Sequence, residues 1–86
     1  MRKVNFSDRQ EKWLRAMLRE RVSSSSVTSI GYDADTETLE VEFVTGRVYS
    51  YRGVEEEVHE AFMSAPSKGQ FFNEHIKDAY PFERIR

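Results

Sequence analysis

LEVEFVTGRVYSY, residues 39–51, carries a regular alternation of apolar and polar side chains interrupted once by a glycine. Leu39, Val41 and Phe43 alternate with Glu40 and Glu42, and a period of two marks a strand with one apolar and one polar face. Past Thr45-Gly46 the chain resumes with Val48, Tyr49, Ser50, Tyr51 and Arg52, so the stretch reads as a β-hairpin. Two turns fit. A two-residue Thr45-Gly46 loop pairs Val44 with Arg47 and sets Glu42 opposite Tyr49 and Glu40 opposite Tyr51. A three-residue loop, Val44-Thr45-Gly46 with Gly46 in the left-handed position of a bulge, pairs Phe43 with Arg47, Val41 with Tyr49 and Leu39 with Tyr51. This second register gathers the large apolar and aromatic side chains on one face and leaves Glu40, Glu42, Val48, Ser50 and Arg52 on the other. A slip of one residue scatters both sets, so the three-residue loop is expected. It turns Tyr49 and Tyr51 towards the core.

Working outward, a first helix is expected from about Ser7 to Arg21. Ser7 and Gln10 have the spacing of a capping box, and Trp13, Leu14, Met17 and Leu18 fall on one face. Arg9, Lys12, Arg15 and Arg19 lie on the other face, either as a solvated back or as a basic stripe for nucleic acid. Ser23 to Ser26 reads as a flexible joint. Val27 to Tyr32 reads as a strand with Ile30 and Tyr32 inward, and Asp33 to Thr38 as a polar turn. A second helix is expected from about Val54 to Ala65, burying Val58, Ala61, Phe62 and Ala65, with Glu55, Glu56 and Glu57 at its positive end. Pro66 stops it. Ser67, with Gln70 three residues on, opens a third helix that buries Phe72 and Ile76 and ends near Asp78, since Pro81 disfavours helix at Tyr80. The tail Tyr80 to Arg86 has room for a short edge strand.

The expected fold class is therefore α+β, in the order α-β-β-β-α-α: a three-stranded antiparallel meander with helices packed on one face. The parts are an N-terminal helix and Ser-rich linker (1–26), a core (27–80) and a tail (81–86).

The chain has 86 residues, enough for one core and too few for two. It has no cysteine, which rules out disulfides and thiolate zinc sites. No apolar run follows the basic start MRKVNFSDRQ, and none approaches the ~20 residues of a membrane span, so the expected compartment is the cytoplasm. The net charge of −2 is unevenly spread. Residues 1–22 carry +4, residues 23–66 carry −7 and residues 67–86 carry +1. An acidic centre weighs against a sheet that grips phosphate along its whole length.

The succession IGYD, LEVEF, GRVYSYRGV and AFMSAPSKGQFFNEHIKDAY resembles the KTSC domain family from about Val27 to Tyr80. The central Tyr49-Ser50-Tyr51 matches that family's Tyr-x-Tyr marker, and Ala65-Pro66-Ser67-Lys68-Gly69 matches its small-residue joint. Glu55 departs from the pattern, in which relatives tend to have proline. Either residue suits a first helical turn. The resemblance implies a small bacterial or phage module. A similar segment closes some lysyl-tRNA synthetases, and that context implies contact with RNA.

Chemistry is sparse. His59 and His75 sit on different helices without ligand spacing, and no nucleophile stands beside a base. Asp33, Asp35 and Glu37 have calcium-loop spacing, but Thr38 replaces the glycine and Val44 the closing glutamate. No phosphate loop is present. No metal, cofactor or catalytic residue is expected. The expectation is a non-enzymatic binding module for RNA or single-stranded nucleic acid, through Arg47, Arg52 and the helix start Ser67, Lys68 and Gly69. There free N–H groups, a small residue and a cation meet. Tyr49 and Tyr51 could stack on bases if exposed, but the register makes them core. The alternative is a protein-interaction module using the acidic sheet face or a strand edge.

Overall fold

The computed structural model describes residues 19–86, which form one antiparallel sheet of five strands with two helices inserted before the last strand. The strands are β1 (Glu20–Arg21), β2 (Val27–Asp33), β3 (Thr38–Phe43), β4 (Val48–Arg52) and β5 (Phe82–Arg84), and they lie side by side in chain order. Helix α1 spans Glu56–Ser64. Helix α2 spans Lys68–Phe71 and runs directly into a π-helical turn, Phe72–Ile76.

The hairpin has the three-residue loop. Leu39 lies opposite Tyr51, Val41 opposite Tyr49 and Glu40 opposite Ser50. The Phe43 N–H donates to the Arg47 carbonyl at 2.9 Å, the Gly46 N–H returns to the Phe43 carbonyl, and Gly46 takes φ +95°. That angle is open to glycine and strained for other residues.

The expected three-stranded meander is corrected to a five-stranded sheet: β1 is an added strand, and β5 takes the place allowed for a short edge strand in the tail. Arg19 to Arg21 were expected as the last turn of a helix. Instead Glu20 and Arg21 are strand, pairing with Ile30 and Ser29. The rest of the expected N-terminal helix lies outside the described residues. At the other end β5 pairs with β4, Phe82 facing Tyr51 and Arg84 facing Tyr49. The Ser23 to Ser26 joint is the loop of the β1–β2 hairpin, where the Ser24 hydroxyl accepts from the N–H groups of Ser26 and Val27.

The core lies between one sheet face and the helices. It contains Val27, Ile30, Leu39, Val41, Tyr51, Val54, Phe62, Phe72 and Ile76. Val27 and Ile30 share this face despite a spacing of three, because the register shifts by one residue between Val27 and Ser29. Helix α1 is shorter than the apolar pattern suggested. Gly53 takes φ +78°, and the Val54 N–H is held by the Glu37 carbonyl, so helix begins only at Glu56. Phe62 is fully buried, Val58 and Ala65 half-buried, and Ala61 is exposed, against expectation.

The opposite sheet face carries the carboxylates. Arg19 reaches Glu40 at 2.6 Å, Arg86 reaches Glu42 at 3.2 Å, and the Ser29 hydroxyl donates to Glu42. The hydroxyl and the two arginines hold the Glu42 carboxyl below its ordinary range against the opposing effect of burial.

Candidate aromatic binding site

Alternation along β4 points Tyr49 and Tyr51 to the helix side of the sheet, and pairing places Phe82 of β5 beside them. The Phe82 ring centroid is 5.7 Å from both tyrosine rings. Phe43 approaches Tyr49 edge-on, and Phe72 approaches both Phe43 (5.1 Å) and Tyr51 (5.6 Å) in edge-to-face contacts. Such contacts suit the ring quadrupole. The two tyrosines differ in depth. Tyr51 is 3% exposed and belongs to the core, whereas Tyr49 is half-buried and Phe82 is 55% exposed.

These rings enclose an open pocket of about 280 Å³, lined by Phe43, Tyr49, Tyr51, Phe72, Phe82, Lys77 and Asp78. The π turn supplies its polar rim. The Lys77 N–H donates to the carbonyl of Phe72, five residues back, at 2.9 Å. Lys77 and Asp78, which follow this turn directly, line the pocket together with Phe72. Turns of this kind occur often at functional sites. Neither side chain forms a hydrogen bond or ion pair among the described residues. Arg84 shares the face of Phe82 by strand alternation.

Burial, then the neighbouring Tyr49 and Asp78, push the Tyr51 phenol up to about 12. An unfolded phenol ionises near 10, so the folded state holds its proton longer. That contribution to stability is complete below about 10 and is lost as pH rises towards about 12. An ultraviolet absorbance titration of the native protein should show a tyrosine with a midpoint near 12, and Tyr51→Phe should remove it.

Of the residues expected to hold phosphate, Ser67, Lys68 and Gly69 follow one another at the start of α2, and the two arginines lie apart from each other. Arg47 is exposed at the hairpin tip and Arg52 at the far end of β4, about 17 Å away by strand rise. Ser67 caps α2, accepting from the Gln70 N–H. The Lys68 ammonium is committed to the Ala65 carbonyl at 2.7 Å, where it satisfies the end of α1. A Cβ on Gly69 would lie 3.0 Å from the Ser26 hydroxyl, so this glycine permits close packing on the β1–β2 loop. Both histidines flank aromatic rings: His59 stacks on Tyr32 at 4.5 Å and His75 lies 4.6 Å from Phe71. Among the described residues no three His, Asp or Glu gather as for a metal, and no helix is long and apolar enough to cross a membrane.

The KTSC domain profile matches residues 23–80. The chain belongs to the KTSC domain family. This domain is similar to a KTSC domain protein from Yersinia pestis of known crystal structure, with 47% identity and a TM-score of 0.76 over 80% of this chain and 97% of that one. It is 44% identical over 70 residues to an uncharacterised protein of Stutzerimonas stutzeri, covering 80% of this chain and 99% of that protein. It is 43% identical over 61 residues to a lysine–tRNA ligase of Nostoc punctiforme, covering 71% of this chain and 11% of the ligase. The pocket combines family and flanking sequence, because Phe82 lies just beyond the matched residues.

Proposed function

We propose that this KTSC domain is a non-enzymatic module that binds single-stranded RNA, taking one unpaired base into the aromatic pocket. The observation that carries this reading is the set of rings Phe43, Tyr49, Tyr51, Phe72 and Phe82 around one open cavity. Bases stack on aromatic side chains without need of a duplex. Arg84 shares the strand face of Tyr49 and in this reading meets a phosphate, with Arg47 and Arg52 as outer contacts. The acidic Glu40 and Glu42 are on the opposite face, held by Arg19 and Arg86, and so do not repel a strand at the pocket. The likeness to a segment of lysine–tRNA ligases adds support, since those proteins act on an RNA.

The test is a titration of the labelled full chain with mixed single-stranded RNA oligomers, followed by NMR. The expected shifts centre on Tyr49, Lys77 and Phe82. With two or three phosphate contacts, affinity should fall roughly tenfold between 50 and 200 mM salt. Absence of shifts at high micromolar RNA would sink the reading, and shifts confined to Arg9 to Arg19 would move the contact off the domain. A second reading, a protein partner that adds a strand to β5, is favoured by the exposure of Phe82 and Ile85 on that open edge. It predicts no response to RNA.

A further inference from the structure

We infer that the ring this pocket takes is guanine, read by the Asp78 carboxylate and the Lys77 ammonium at its mouth. This rests on the base-binding reading above and narrows it to one base. The aromatic walls alone do not discriminate, because every base has a π-face. Discrimination must come from the polar groups of the lining, whose charged members are Asp78 and Lys77, beside the hydroxyls of Tyr49 and Tyr51.

An ionised carboxylate only accepts hydrogen bonds, through two oxygens side by side, and an ammonium only donates. The complementary base edge therefore carries two adjacent donors followed by an acceptor. Guanine has that order in N2–H₂, N1–H and O6. Adenine sets a donor beside the bare N1, whose lone pair would face a carboxylate oxygen. Cytosine has the same conflict at N3. Uracil has one N–H between two carbonyls, so a second carboxylate oxygen would meet an acceptor. A mismatch of this kind is penalised twice, by the lost bond and by the desolvated group left without a partner.

The surroundings favour this use. Asp78 and Lys77 line the pocket at exposed positions, within reach of a ligand. The cavity of about 280 Å³ sits just below the ~300–1,000 Å³ of drug-sized sites, which suits one flat ring system. Hydrogen bonds to charged groups are the stronger class.

The experiment uses the full chain and two sets of probes. The first is GMP, IMP, AMP, CMP and UMP. The second is a set of single-stranded oligomers, each presenting one G, A, C or U in an otherwise identical sequence. Chemical shifts at Tyr49, Lys77 and Phe82 report occupancy of the pocket. The expected order is GMP tightest, IMP weaker because it lacks the N2 amino group, and AMP at least roughly tenfold weaker than GMP. Asp78→Asn, at an exposed position, should leave the spectrum folded and remove the preference. A G oligomer that binds more tightly than GMP identifies a nucleic-acid strand as the source, and equal affinity identifies the free nucleotide. Equal pocket shifts from all four bases would overturn the guanine assignment while leaving RNA binding in place. A preference unchanged in Asp78→Asn would also overturn it. No response to any probe would remove both.

Discussion

Tyr51→Ala should destabilise the domain by about 3–5 kcal/mol, the usual cost of deleting a large buried aromatic ring. The ring is 3% exposed and lies against Phe72, Phe82 and Tyr49. No neighbouring element can close the space, since β4 is held on both sides by β3 and β5. A chain of this size has roughly 4–13 kcal/mol to lose, so the variant should be largely unfolded at modest urea. Chemical denaturation monitored by far-ultraviolet circular dichroism gives the number. Tyr51→Phe separates ring from hydroxyl. The Tyr51 hydroxyl makes no hydrogen bond among the described residues, so removing it should change stability by less than about 1 kcal/mol. A Tyr51→Ala protein as stable as the native chain would show that the ring is not part of the core.

The central hairpin was legible because its constraints are local and agree with one another. Gly46 supplies the positive φ, and only one register keeps Leu39, Val41, Phe43, Tyr49 and Tyr51 together. The edges were not legible in the same way. Glu20-Arg21 has no alternation to read and becomes strand only because β2 offers it unpaired backbone groups. The helix pattern that ran through Arg19 to Arg21 is overridden by that pairing and by the ion pair of Arg19 with Glu40. At the other end, Phe82 was readable as tail but not as the partner of Tyr51.

The candidate site fared differently for the same reason. Ser67-Lys68-Gly69 has the local chemistry of an anion site, yet its ammonium and its glycine are both used to join α1, α2 and the β1–β2 loop. The pocket is assembled from four separate places: the end of β3, β4, the π turn and β5. Its rim depends on one inserted residue in the Phe72–Ile76 turn, which no periodicity announces. The one advance signal was the Tyr-x-Tyr spacing, and its two rings have separate duties. Tyr51 holds the fold, and Tyr49 forms the wall that a ligand can reach.

That division gives the second large effect. Phe82→Ala should weaken RNA binding by roughly 5- to 150-fold, the equivalent of one lost stacking platform at about 1–3 kcal/mol. Stability should change little by comparison, since this ring is already 55% exposed and its strand is held by backbone bonds that the substitution leaves intact. Those bonds include Arg52 N–H to the Pro81 carbonyl and Ile85 N–H to the Val48 carbonyl. Tyr49→Ala should fall between the two cases, losing binding and some stability, because the ring is half-buried against Phe43 and Phe82. The measurement is paired: RNA affinity by fluorescence anisotropy of a labelled oligomer, and urea stability on the same protein samples. If Phe82→Ala bound RNA as well as the native chain, the aromatic pocket would not be the base site. The basic positions Arg47, Arg52 and Arg84 would then be the next to replace. If it lost stability as Tyr51→Ala does, Phe82 would be closing the core rather than offering a surface to a ligand.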